Sequence, residues 1–305
     1  MSQPHLASPA RGIGLLLAAL SFFVSLDSTA KYLAGHLPVP MLVWARYTVH
    51  CLLMVILLAP SMGTQLIATR RLGLQVLRAF CLVLVTLLTM SAFRIMPIAE
   101  ATAILFVSPL LVTLAAGRLL GERVDRVRWI AVLCGFFGVL LIARPGGSLP
   151  LQGVALAASA AVCFAAYQLL TRILSPTEQP LTTLFYTASV GSLASTAALP
   201  WVWELPSLTL ADGLLVLSLG IYGGVGHFLL IRAFREAPAS TLSPIMYAQL
   251  GLATLAGWLV FDQWPDLPAL TGIGIIAGAG VMIALQARRD HRQEALRRLP
   301  PSARI

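Results

Sequence analysis

The sequence predicts an all-α integral membrane protein: ten transmembrane helices as two inverted five-helix repeats, both termini cytoplasmic. Three observations predict it. Of 305 residues, 58% are hydrophobic and 11% charged, and the mean hydropathy is +0.86; a soluble domain carries roughly twice that charged fraction. The chain is also written twice. Adding 141 to the numbers of Ala92, Phe93, Arg94, Pro97, Ile104, Leu111 and Thr113 gives Ala233, Phe234, Arg235, Pro238, Ile245, Leu252 and Thr254, with no insertion between. Finally, with the N-terminus inside, seventeen of the 21 Lys and Arg lie on the cytoplasmic side, and only Lys31, Arg46, Arg94 and Arg144 on the other.

Apolar runs of about 17 to 25 residues mark the spans. They fall near 13–33, 41–60, 72–93, 98–117, 127–143, 151–171, 181–203, 210–231, 240–261 and 268–287. Strands of an outer-membrane barrel alternate with period two, which Leu110 to Ala116 and Ile273 to Leu285 do not. Five spans are an odd number, so the second copy enters from the opposite face. Lys31 is then external and its counterpart Arg172 internal. Inverted repeats of this kind build secondary transporters, with the ligand site near the midplane between the halves. The repeats divide the chain into 1–146 and 147–287, followed by a basic cytoplasmic tail, 288–305, whose Arg288, Arg289, Arg292, Arg297 and Arg298 suit anionic lipid heads.

The first span has no small-residue cleavage pattern and reads as a retained helix. It carries Asp27 about six residues from its outer end, roughly 9 Å deep, and Lys31 four positions later. That spacing suits either a local ion pair or a site carboxylate. The second span holds Arg46, Tyr47 and His50. Arg46 lies too deep to snorkel and has no acid three or four positions away, so its partner is Asp27, Glu100 or a substrate carboxylate, which a planar guanidinium fits. His50 suits a proton relay or a packed, hydrogen-bonded imidazole. Arg78, on the inner turn of the third span, reads as a lipid-facing topology charge. Glu100 opens the fourth span, in which Pro109 removes the backbone bond to Leu105 and predicts a kink. The Gly121-Glu122-Arg123 turn reads as a solvated loop.

In the second half, Tyr167 and Gln168 lie on the sixth span, Gln168 at the position equivalent to Asp27. Trp201-Val202-Trp203 reads as an interfacial belt. Gly220, Gly223, Gly224 and Gly226, with Gly274 and Gly278, read as packing glycines. Pro244, Tyr247 and Gln249 on the ninth span face the same space as Pro109.

The pattern Met96-Pro97, Ala101, Ala103, Pro109, Gly121-Glu122-Arg123 and the Gly-rich fifth helix closing on Gly146 resembles EamA-type members of the drug/metabolite transporter superfamily. The opening, from Asp27 through Ala30-Lys31-Tyr32-Leu33 to Val43-Trp44-Ala45-Arg46-Tyr47, is similar to a bacterial subgroup carrying amino acids, riboflavin, S-adenosylmethionine and opine-type metallophores. The resemblance implies a ten-helix transporter in the bacterial inner membrane. Asp262-Gln263-Trp264 replaces the Gly-Glu-Arg turn in the second copy.

Other classes lack their motifs. There is no Gly-x-x-x-x-Gly-Lys-Ser/Thr loop, so the chain does not itself hydrolyse nucleotide. Cys51, Cys81, Cys134 and Cys163 stand singly without metal spacing, and no cofactor or nucleic-acid motif accompanies the basic residues. His50 and His227 sit outside the patterns of an intramembrane hydrolase or acyltransferase. The expectation is therefore a secondary transporter, not an enzyme, of a small amphoteric metabolite. Export of an amino-acid-like compound or opine-type metallophore is preferred to import of riboflavin or S-adenosylmethionine. Arg46 would hold a carboxylate, and Asp27 or Glu100 an amine or a coupling proton, with His50 a further proton candidate. Tyr47, Tyr167, Gln168, Tyr247 and Gln249 would flank the substrate, and Pro109 and Pro244 would supply kinks. Monomer and homodimer stay equally open.

Overall fold

A computed structural model describes residues 9–119, 126–144, 149–202, 208–237 and 239–298. The Gly121-Glu122-Arg123 turn, Gly146, Trp203 and the end of the basic tail lie outside the described residues. Twelve α-helices and no strand occur among those described. They are α1 Pro9–Ala34, α2 Val39–Met62, α3 Leu72–Ile95, α4 Ile98–Leu105, α5 Ser108–Leu119, α6 Arg126–Ile142, α7 Leu151–Leu174, α8 Pro180–Val202, α9 Leu210–Glu236, α10 Ala239–Met246, α11 Ala248–Phe261 and α12 Leu267–Arg298. A short 3-10 turn, Gly63–Leu66, follows α2.

Eight stretches of the described residues are long and apolar enough to cross a membrane. The fifth and seventh expected spans form helices but fall outside that set. The apolar part of α6 is limited to Trp129–Ile142. The 23 residues of α8 include Thr182, Thr183, Thr187, Ser189, Ser192, Ser195 and Thr196, whose hydroxyls lower its hydropathy. α12 continues beyond the expected boundary at 287 to Arg298, so the basic segment begins as helix.

The fourth and ninth expected spans are each broken in two, at equivalent places. α4 ends at Leu105 and α10 at Met246, and 105 and 246 differ by the repeat offset. In the first copy Pro109 has no N–H to give Leu105, and the chain turns at Phe106 and Val107 before Leu110 bonds back to Val107. In the second copy the proline is Pro244, two residues before the end of α10. Tyr247 then bonds to Pro244 over three residues. Different prolines thus interrupt the two copies at one register.

Packing exchanges the halves. α1 packs on α9 and α3 on α7; α2 packs on α9 and α8 on α3; α1 packs on α11 and α7 on α5. Each pair is the other with the repeats swapped, as a pseudo-two-fold axis requires. α2 meets α8, and α6 meets α12, across that axis.

Small residues permit these approaches. A Cβ at Gly272 would lie 2.6 Å from the Gly138 carbonyl, and one at Gly224 would lie 3.2 Å from His50 Cδ2. A Cβ at Gly220 would collide with Val49, and one at Gly226 would come within 2.7 Å of Phe23. Gly274 and Gly278 differ from the packing expectation. A Cβ there would meet nothing, because both lie on the exposed face of α12 while Gly272 faces α6.

Candidate functional site

The first cluster joins α1, α2 and α9. Arg46 and Asp27 are both half-buried, and the charge of Arg46 acts on Asp27 and His50 and, together with that of Arg78, on Tyr47 and His227. Among the described residues, neither Arg46 nor Asp27 makes a hydrogen bond or closes a salt bridge. The Arg46 guanidinium stands 5.7 Å from the centroid of the Tyr47 ring, and its Nε would be 3.8 Å from a Cβ at Gly223. A guanidinium has five N–H donors, and inside a membrane each unsatisfied one is costly. Hydrogen-bonding capacity on both side chains is therefore left unfilled by the described residues.

The imidazoles of His50 and His227 are parallel, at 7°, with centroids 6.2 Å apart. His50 is only 5% exposed, and its buried Nε2 has no partner among the described residues. Phe23 meets His227 edge on at 5.0 Å. Tyr47 is instead locked into packing. Its ring is buried against Gly191, and its hydroxyl shares a 2.8 Å hydrogen bond with Thr86, which donates to the Leu82 carbonyl.

The equivalent region of the second repeat is closed. Gln168 donates to Ser108 Oγ over 3.0 Å, tying α7 to the start of α5 beside Pro109. By the repeat offset the matching pair is Asp27 and Gln249, which make no such bond among the described residues. The pseudo-symmetric contact is satisfied in one half and open in the half that holds Arg46. Tyr247 is packed beneath it, against Phe106 and Gly280.

Arg78 overturns its expected role. Rather than facing lipid, it is 4% exposed and ties three helices together. Its Nε donates to Thr171 Oγ1 at 2.6 Å and its Nη2 to the Tyr167 hydroxyl at 2.6 Å. Nη1 donates to Thr187 Oγ1 at 2.6 Å and to the Thr183 carbonyl at 3.2 Å. The guanidinium also lies over the Tyr167 ring, 4.3 Å from its centroid. Beside it, buried Gln75 bridges Thr183 and Glu178. The available signal was the four-residue spacing of Tyr167 with Thr171 and of Thr183 with Thr187, which puts hydroxyls on one face of each helix. Tyr167 thus serves Arg78.

At the other end of the bundle Lys31 donates to the carbonyls of Phe93 (2.9 Å) and Met96 (2.8 Å), capping the C-terminus of α3. It also lies 5.3 Å from the Phe261 ring centroid. The local Asp27–Lys31 pair is not formed, because these carbonyls take the ammonium. Among the described residues no ion pair joins Glu100 to Arg46, and the charged groups that act on Glu100 are Asp266 and Lys31. Glu100 lines a cavity of about 220 Å³ with Pro97, Arg144, Asp262, Gln263 and Asp266. Arg144 and Asp266 join α6 to α12 by two bonds of 3.2 and 2.5 Å. Those bonds and the Ala269 N–H hold the Asp266 carboxyl below its usual range. Among the described residues no three His, Cys, Asp or Glu side chains converge as metal ligands.

Two interlocked helical halves that exchange their packing are the architecture of a class of carriers. The chain belongs to the EamA-like transporter family, whose profile matches twice, at residues 10–144 and 151–285. It is 29% identical over 300 residues to a riboflavin transporter of Vibrio cholerae, covering 96% of this chain and 99% of that one. It is 26% identical over 278 residues to an S-adenosylmethionine uptake transporter of Rickettsia bellii, covering 91% and 94%. Over another 278 residues it is 26% identical to the pseudopaline exporter CntI of Pseudomonas aeruginosa, covering 89% and 95%. A solved crystal structure shares the fold, with a TM-score of 0.65 at 20% identity over 91% of this chain and 98% of its own. The protein is a multi-pass membrane transporter of small molecules.

Proposed function

We propose that the chain is a secondary active transporter that moves a small amphoteric metabolite across the bacterial inner membrane by alternating access. The single observation behind this reading is that Arg46 and Asp27 lie together inside the bundle, electrostatically coupled yet each without a hydrogen bond among the described residues. A substrate carrying both an anionic and a cationic group would satisfy both. Arg46 binds the carboxylate through its fork, Asp27 the amine or a coupling proton, and Gln249 adds amide contacts. His50, with an unpartnered Nε2, is the second proton candidate. Tyr47, Tyr167 and Tyr247, committed to Thr86, Arg78 and Phe106, brace the helices around the site rather than flank the substrate, and the breaks at Pro109 and Pro244 are where helices bend as the halves rock.

The topology that serves this reading is ten spans in two inverted repeats, 1–146 and 147–287, with both termini and the tail 288–305 cytoplasmic. Support comes from the side on which arginines accumulate and from the exchanged packing of α1 on α9 and α3 on α7. Export of an amino-acid-like compound or opine-type metallophore is the first direction, in line with the pseudopaline exporter. Uptake of a cofactor such as riboflavin or S-adenosylmethionine is the second, favoured by the Vibrio and Rickettsia relatives.

The test is transport by Arg46→Lys in vesicles of both orientations, with those three compounds as substrates. The lysine keeps the charge and loses the fork, so flux should fall at least tenfold while the protein still inserts. Near-normal flux, together with rescue of Arg46→Ala by Asp27→Asn, would make the two charges a structural pair.

A further inference from the structure

The outer cavity presents a separate problem of unsatisfied acceptors. Glu100 is 5% exposed, lines the cavity and has an Oε2 atom that is buried without a hydrogen-bond partner among the described residues. Gln263, which also lines the cavity, has a buried Oε1 in the same condition. Two residues of one lining thus each keep an oxygen without a donor, and an unpaired buried acceptor costs roughly 1 to 3 kcal/mol. The charges point the same way. Glu100, Asp262 and Asp266 carry three negative charges there. Arg144 is committed to Asp266, and Lys31, beside Glu100, to the Phe93 and Met96 carbonyls. Three carboxylates against two cations leave one negative charge uncompensated.

We propose that this cavity binds an organic ammonium or guanidinium group, held by Glu100 and Gln263 with Asp262 at the rim. Among the described residues no three His, Cys, Asp or Glu side chains converge as ligands of a compact metal ion, whereas about 220 Å³ accommodates a cationic head with several N–H donors. One such group supplies both missing donors and brings the local charge to zero. The inference deepens the transport reading and rests on it for its use: the cationic end of the substrate is held here, at the outer mouth, before or after Arg46 and Asp27 hold it between the halves.

The experiment follows thermal unfolding of the full chain in detergent by tryptophan fluorescence. Ethylammonium chloride is compared with tetramethylammonium chloride, which has no N–H donor, at equal ionic strength. Ethylammonium should raise the midpoint by several degrees and tetramethylammonium should not. Glu100→Gln should abolish the difference. Should that variant not fold, Gln263→Glu adds a carboxylate, and the same shift should then appear at about tenfold lower ethylammonium. Equal shifts from the two salts, a cavity holding water only, would overturn the proposal, as would an unchanged response in Gln263→Glu or a persisting one in Glu100→Gln. Arg46→Lys separates the two readings. It should keep the full ethylammonium response while losing transport, whereas loss of the response with Arg46-dependent transport intact would remove this cavity alone.

Discussion

Phe106 and Tyr247 occupy the same register of the two repeats, and their rings meet edge to face with centroids 5.5 Å apart. Each is the residue at which its span breaks, Phe106 after α4 and Tyr247 between α10 and α11. The pseudo-two-fold axis therefore passes between two helix breaks that rest on one another, so a change at one is felt directly by the other. Gly280 of α12 supports the contact, because any Cβ there would collide with the Tyr247 ring. Gly280→Ala should accordingly destabilise the protein by roughly 1 to 3 kcal/mol, the usual cost of overpacking. Tyr247→Phe, which keeps the ring, should change stability little. Unfolding in detergent measures both, and an innocuous Gly280→Ala would show that the breaks have room to move apart.

The two prolines offer a comparison. Pro109→Ala restores an N–H that can reach Leu105 and should straighten α4 into α5, leaving the protein inserted but slowing transport several-fold. Pro244→Ala should do less, since its break lies three residues beyond the proline and is held by the Phe106 contact. Equal, undiminished transport in both would reduce these prolines to packing.

Topology is checked by single cysteines in a cysteine-free background. Substitutions at Leu208 and Trp264 should label from outside, and those at Thr64 and Thr177 only after permeabilisation. All four positions are exposed. Outside labelling at Thr177 would break the inverted-repeat argument, because that turn between α7 and α8 must be internal if the second copy enters reversed.

The Arg144–Asp266 bridge ties the end of the last helix of one repeat to the start of the last helix of the other. The folded carboxyl titrates below the unfolded one, so its contribution is present above the ordinary aspartate range and lost as pH falls through the lowered value. Wild-type stability should therefore drop more steeply in strong acid than that of Asp266→Asn. Parallel acid profiles would show that the bridge, being exposed, contributes nothing measurable.

Much of this was legible in the sequence, because it was carried by repetition and by charge. The offset between Phe93 and Phe234 exposed the duplication, and Pro109 announced its break. The depth of Arg46 on its span was legible too, and the structure places its guanidinium inside the bundle beside Tyr47. What stayed hidden was long-range and neutral. Lys31 caps carbonyls more than sixty positions away, which no local spacing with Asp27 could reveal. The break at Tyr247 follows Pro244 at a different offset from that in the first copy. Arg78 looked like an ordinary cation at a cytoplasmic helix end because its partners are hydroxyls of α7 and α8, and hydroxyls carry no charge to betray a pair.

Arg78 is also the residue for which sequence and structure make opposite forecasts. Thr187 stands at the repeat position of Arg46, so in one half the guanidinium grows from that position, and in the other it comes from the facing helix and bonds to it. One arginine lacks hydrogen-bond partners among the described residues, whereas the other has four. Arg78→Lys should then be poorly tolerated, since an ammonium cannot serve Thr171, Tyr167, Thr183 and Thr187 from one point. A loss of roughly 2 kcal/mol or more is expected from bonds to a charged donor. Arg46→Lys should cost flux and little stability. A lipid-facing Arg78 would give the reverse, an Arg78→Lys protein with unchanged unfolding and unchanged transport. Measuring both variants for both properties therefore decides which guanidinium holds the bundle and which serves the substrate.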